Sequence, residues 1–170
     1  MSVSTDHPVQ VYRVHPATLW VAALAALLLQ TFLPIKVPLA KLMDFPLLVV
    51  IYFASVRRDK IFGVGLGTSI GLLQDALSQG FIGMYGMCKA VVGYLAASAS
   101  NRFELESLLA RMVMTGVFVL VHNLFLTGLQ QVLLENPPSF NFLSLASSIL
   151  VNVALGLVVF QILDRFRLPA

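Results

Sequence analysis

Asp75, Lys89 and His122 place an acid, a base and an imidazole inside apolar sequence in this 170-residue chain. Gln74, Asn123 and Asn152 stand in similar surroundings. Charged groups at low dielectric attract strongly but are costly to desolvate. The chemistry open to them is ion pairing, proton transfer or hydrogen bonding between helices. Asp75 lies near the end of one apolar segment and Lys89 about 12 Å into the next, so on antiparallel neighbours their depths differ by about 5 Å. A lysine stem covers that difference by snorkelling. We therefore expect an Asp75–Lys89 ion pair, joined by Gln74. His122, Asn123 and Asn152 are expected to converge with Lys89 on one polar interior. Two readings of that interior stay open. One is interhelical hydrogen bonding that fixes packing, worth around 0.6 kcal/mol per contact. The other is a polar cavity that receives a ligand, a partner residue or a proton.

Enzyme chemistry has little support. The chain has no HExxH pair for zinc and no GxSxG elbow for an acyl nucleophile. The glycines at 63, 65 and 67 follow no strand and lack the third glycine of a dinucleotide loop. His122 has no obvious nucleophile in register, although Ser69 and Ser78 stay open. Cys88 is the single cysteine, so it forms neither an internal disulfide nor a cysteine metal cluster, and it reads as a small packing residue. No catalytic, cofactor-binding or metal-binding residue is expected. Nucleic acid is not an expected partner, because no basic face is interleaved with aromatics.

The elements that must position these groups are membrane helices. Hydrophobic residues make up 58% of the chain and charged residues 11%, against roughly 25% charged in an ordinary soluble domain. Mean hydropathy is +0.88. We expect an all-α membrane protein, a single integral domain of six transmembrane helices with spans near 17–35, 44–56, 61–77, 81–99, 108–134 and 142–163. The polar segment before the first span lacks the features of a signal peptide, so that span is expected to stay as an anchor. Asp44, Phe45 and Pro46 read as an N-cap followed by proline in the first turn of the second span. That span reaches only about 20 Å of a hydrocarbon core about 30 Å thick. It therefore needs bilayer thinning, a contribution from Leu39 to Met43, or burial beside other helices. The segment between Pro34 and Asp44 is either a loop or a bent stretch returning into the membrane.

Charge sets the orientation. Arg13, Arg57, Arg58, Lys60, Arg102, Arg111, Arg165 and Arg167 fall on one side, whereas only Lys36 and Lys41 fall on the other. Basic residues collect on the cytoplasmic side, which puts both termini there.

The stretch from Phe62 to Ala99 carries glycines at 63, 65, 67, 71, 80, 83, 86 and 93. Each interior glycine weakens a helix by roughly 1 kcal/mol relative to alanine. Small residues nevertheless let membrane helices approach closely. Gly63, Gly67 and Gly71 form a stripe at i, i+4 and i+8 suited to a partner helix, or equally to packing against the second or fourth span.

The run GLLQDALSQGFIG, with Gly71, Leu72, Leu73, Asp75, Leu77, Ser78 and Gly83, resembles the rod shape-determining membrane protein family MreD. So does the preceding MDFPLLVVIYFASVRRDK, with its proline near the start of a short segment. The resemblance covers most of the chain. It implies a non-enzymatic scaffold subunit of the bacterial cell-elongation complex in the cytoplasmic membrane, supporting peptidoglycan synthesis and cell shape. The implied partners are MreC and, through it, the MreB filament, the RodA glycosyltransferase and its transpeptidase partner, with a homodimer also compatible. The implied fold is that of S-components of energy-coupling transporters. Lys89 and Cys88 are not part of the motif that carries the resemblance. The alternative function is a substrate-binding S-component of a vitamin or metal transporter, docking its coupling subunit through the small-xxx-small spacing of Ala22 and Ala26.

Overall fold

The computed structural model describes residues 13–14, 16–78, 81–102 and 107–168. Of the predicted connectors, Gln79, Gly80, Glu104 and Glu106 lie outside the described residues. The side chains of Arg13 and Arg167, used above for orientation, lie outside them as well.

Among the described residues six helices follow in order: α1 (Pro16–Lys36), α2 (Phe45–Arg57), α3 (Lys60–Ser78), α4 (Met84–Ser100), α5 (Leu108–Leu133) and α6 (Phe142–Asp164). A 3-10 helix, Pro38–Leu42, links α1 to α2. Two short strands, β1 (Arg13–Val14) and β2 (Arg167–Leu168), pair antiparallel and bring the segments before α1 and after α6 together at one end of the body.

Local chemistry sets the helix ends. Asp44 caps α2 by accepting from the Leu47 N–H at 2.9 Å, with Pro46 in the first turn where its missing donor costs nothing. Asp59 accepts from the Ile61 and Phe62 N–H groups and so starts α3. Gly83 takes φ +105, a conformation that side chains disfavour, and α4 therefore begins at Met84 instead of the expected residue 81.

Helices α1, α3, α5 and α6 are each long and apolar enough to cross a membrane. Helices α2 and α4 are shorter, at 13 and 17 residues; α2 occupies the interior, whereas α4 buries one face and leaves Met87, Val91 and Tyr94 exposed. Pro46 through Ala54 of α2 are all buried, the pattern of a helix apolar on every face. Burial beside its neighbours resolves how so short an α2 is accommodated. Its surroundings are protein, so it need not match the thickness of a bilayer.

Helices α3 and α4 pack backbone to backbone. A Cβ added at Gly63 would strike the Gly93 carbonyl, one at Gly67 the Lys89 carbonyl, and one at Gly71 the Tyr85 carbonyl and Gly86. The glycine stripe is thus filled by α4 of the same chain. The expectation that it offers a face to a partner is corrected, because no room is left for a second helix. Ala22 and Ala26 are corrected in the same way. Ala26 is buried, and Ala22 packs against the core, so this spacing seats α1 on the body and does not present a docking face.

The packing gives a direct prediction. Gly67→Ala drives a methyl group into the Lys89 backbone and should destabilise the protein by about 1–3 kcal/mol, as overpacked cores do. Gly65→Ala meets nothing within 4 Å and should be neutral, or gain up to roughly 1 kcal/mol from helix propensity. Thermal midpoints in one detergent compare the two, and equal midpoints would contradict the backbone contact.

Candidate functional site

The α1–α2 connector turns back into the body. Asp44, at its end, lies beside Asn152, which is midway along α6. Non-helical backbone at such depth is tolerated only where protein satisfies its polar groups, and here it does. Asn152 accepts from the Asp44 N–H at 2.8 Å through Oδ1. Its Nδ2 donates to the Leu42 carbonyl at 2.7 Å and to the Ser148 carbonyl at 2.8 Å. The Ser148 hydroxyl also donates to Leu42. Gln30 of α1 closes the other side, donating to the Met43 carbonyl and accepting from the Phe45 N–H, both at 3.1 Å. Every one of these bonds uses a side chain that sequence alone leaves without a partner.

The connector holds Asp44 where three other elements reach it. Lys89 Nζ of α4 lies 2.7 Å from Asp44 Oδ2, and the lysine side chain is fully buried. His122 Nε2 of α5 lies 3.3 Å from the same oxygen. Tyr85 stacks on His122 at 6.2 Å between ring centroids, and its ring sits 5.1 Å from the Lys89 ammonium. The helix-capping carboxylate is thus also the counterion of the buried lysine. Two effects stabilise its charge: the positive end of the α2 dipole, and the ammonium in front of it. His122 Nδ1 is buried and makes no hydrogen bond among the described residues.

The expected Asp75–Lys89 pair is corrected. Asp75 is buried, but it accepts backbone N–H groups from Gly83 at 2.9 Å and from Tyr85 and Gly86 at 3.1 Å. It caps α4 from the neighbouring helix. Gly83, the residue at the cap position, has no side chain to do so. Antiparallel depth was a sound guide, but α4 starts three residues later than expected, and its exposed donors lie closer to Asp75 than the lysine does. Gln74 does not bridge the pair; it is buried, and its Oε1 has no hydrogen-bond partner among the described residues. Asn123 points its amide N–H to the Val119 carbonyl of its own helix at 2.8 Å and does not join Lys89. Of the expected interior, then, Lys89, His122 and Asn152 come together, with Asp44 and Tyr85 as members that sequence reasoning missed. One signal for Asp44 was available. A helix too short to span, capped by an acid, leaves that acid about 10 Å below the far surface, which is close to the depth of Lys89.

The same geometry explains the GLLQDALSQGFIG run. Gly71 permits contact with Gly86, Asp75 caps the incoming helix, and Gly83 supplies the left-handed turn. The motif builds the α3–α4 hairpin and positions Lys89.

The chain matches the family described as rod shape-determining protein MreD over residues 12–166. It belongs to that family. Its role lies in rod-shape determination, and MreD proteins are structural, shape-determining membrane proteins and not a known enzyme family. The family is associated with the rod-shape complex. No match was found among curated proteins or among solved structures.

Proposed function

We propose that this MreD-family chain is a multi-pass scaffold of the bacterial inner membrane, with all six helices embedded and both termini in the cytoplasm. In this reading it receives the membrane helix of MreC and through it supports MreB, RodA and the transpeptidase partner in peptidoglycan synthesis. The likeness to S-components belongs to the same reading. The paired segments β1 and β2 support a common side for the two chain ends, and the excess of basic residues on that side supports the cytoplasm.

One observation carries the docking reading. Between α1 and α3 runs an apolar groove of about 820 Å³, floored by α2 and lined by Trp20, Ala23, Leu27, Gly65, Ser69 and Leu73 among others. Helix α1 buries only Ala23, Ala26 and Leu27, so most of its surface faces outward. Small residues on the α3 wall, Gly65 and Ser69, allow a partner helix to approach closely. Gly65 is the useful probe, since a Cβ added there meets nothing within 4 Å.

Gly65→Leu should therefore fold normally and fill the groove. Recovery of MreC on affinity purification from membranes is expected to fall about tenfold, the loss of roughly 1.4 kcal/mol of contact. Gly128→Leu, equally open and outside the groove, serves as the control and should recover MreC normally. Undiminished MreC with folded Gly65→Leu would move the docking site elsewhere.

A further inference from the structure

At the end of the body opposite the paired chain ends, a cavity of about 200 Å³ lies between the second half of α5, the α5–α6 connector, the first turns of α6 and the 3-10 helix. Its lining is largely polar. Asn123, Thr127 and Gln130 enter it from one face of α5 at i, i+4 and i+7, and Ser144 enters from α6. The Asn123 amide N–H is used within its own helix, which leaves its side-chain oxygen as an acceptor. Lys41 is the one charged residue among those lining the cavity, and none of them is a carboxylate. The walls therefore offer neutral hydrogen-bonding groups together with one ammonium. That combination suits hydroxyl groups beside a single anionic centre.

Size and surroundings narrow the ligand further. At about 200 Å³ the cavity accommodates a small polar headgroup. Apolar side chains share the lining: Leu42, Phe140 and Leu145 border the cavity, and Phe140 is 56% exposed. A largely polar cavity with apolar side chains at its border, at the ends of membrane helices, suits a molecule with a polar head and hydrocarbon chains.

We propose that this cavity binds the hydroxylated, phosphate-bearing headgroup of a membrane lipid. Lys41 meets the phosphate, and Asn123, Thr127, Gln130 and Ser144 hydrogen-bond the hydroxyl groups. The floor gives the site a connection to the interior. Leu42 and Ser148 line the cavity and also belong to the hydrogen-bond network that holds Asp44 against Lys89. An occupant thus rests on the segment that positions the buried ion pair.

Native mass spectrometry of the purified full chain tests this, with phosphatidylglycerol, phosphatidylcholine and soluble glycerol 3-phosphate as probes. Phosphatidylglycerol should be retained one to one, about tenfold more strongly than phosphatidylcholine, and should raise the thermal midpoint. Thr127→Val combined with Ser144→Ala should lower that retention about tenfold, and Lys41→Gln by a similar factor, the scale of one charge-assisted hydrogen bond. Lys41 is exposed, so its variant reads the site even where the double variant folds poorly. Equal retention of the two lipids, or unchanged retention in folded Lys41→Gln, would overturn the proposal. Binding of glycerol 3-phosphate as tight as that of the lipid would also overturn it, by making the ligand a soluble phosphate. No second protein is present in the assay, so its failure leaves the MreC docking reading standing, and the reverse also holds.

Discussion

Lys89→Met is expected to destabilise the folded protein by about 3–5 kcal/mol, the range seen when one member of a buried ion pair is removed. The reason is what remains. Asp44 would keep a charge beside His122 with no ammonium 2.7 Å away, in surroundings where the lysine side chain has no exposure at all. Asp44→Asn alone leaves the ammonium unpaired and should cost a similar amount. Asparagine still caps a helix, so that cost comes from the lost charge and not from the cap. The double variant Asp44→Asn with Lys89→Met removes both charges. It should be markedly more stable than the sum of the single losses predicts, with a coupling of a few kcal/mol. Unfolding of detergent-solubilised protein by a denaturant series gives all four corners of the cycle. Additive losses would show that the two side chains do not share their energy.

Asp75→Ala has the next largest expected effect, roughly 2–4 kcal/mol, because three backbone donors at the start of α4 lose their acceptor together. Asp75→Asn keeps one acceptor oxygen and should cost about half as much. A second readout separates this role from ion pairing. Combined with Lys89→Met, Asp75→Asn should be additive within about 0.5 kcal/mol, since the two residues share no bond. Strong coupling there would restore the Asp75–Lys89 pair expected from sequence. Hydrogen exchange at Tyr85 and Gly86 should also speed up in Asp75→Ala, which loss of an ion pair would not produce.

The two charged positions share a logic. Each of the two shorter helices begins at an aspartate: α2 at its own Asp44, and α4 at Asp75 supplied by α3. Short helices that start inside the body expose N–H groups where water cannot reach them. A carboxylate satisfies several at once and complements the helix dipole. The difference is the counterion. Asp75 shares its charge among three N–H groups. Asp44 accepts one N–H and is completed by Lys89 and His122.

Much of this arrangement was legible in advance. The six helical segments follow from hydrophobic runs broken at five places, by Lys36 to Asp44, Arg57 to Lys60, Ser78 to Gly83, Asn101 to Ser107, and Glu135 to Phe140, because clusters of charge, glycine and proline interrupt an apolar helix. The cap at Asp44 was legible for the same reason, since capping joins residues three apart. The destination of the glycines was only half legible. A stripe at 63, 67 and 71 says that some backbone comes close, not whose backbone it is. The partner of Lys89 was misread because depth along a helix constrains only one coordinate. Asp75 and Asp44 lie at comparable depths, and choosing between them requires the lateral arrangement of four helices.

By itself, then, the sequence determined the class of solvent, the order and ends of the helices, and the need for every buried charge to find a complement. Those follow from hydropathy, capping and the cost of desolvation, all of which act over a few residues. Only the tertiary structure decided that the α1–α2 connector folds inward and that Asp44 meets Lys89, His122 and Asn152. The physical reason is that these bonds join residues between 45 and 108 positions apart. Helical periodicity orients each partner about its own axis but does not say which helices stand side by side.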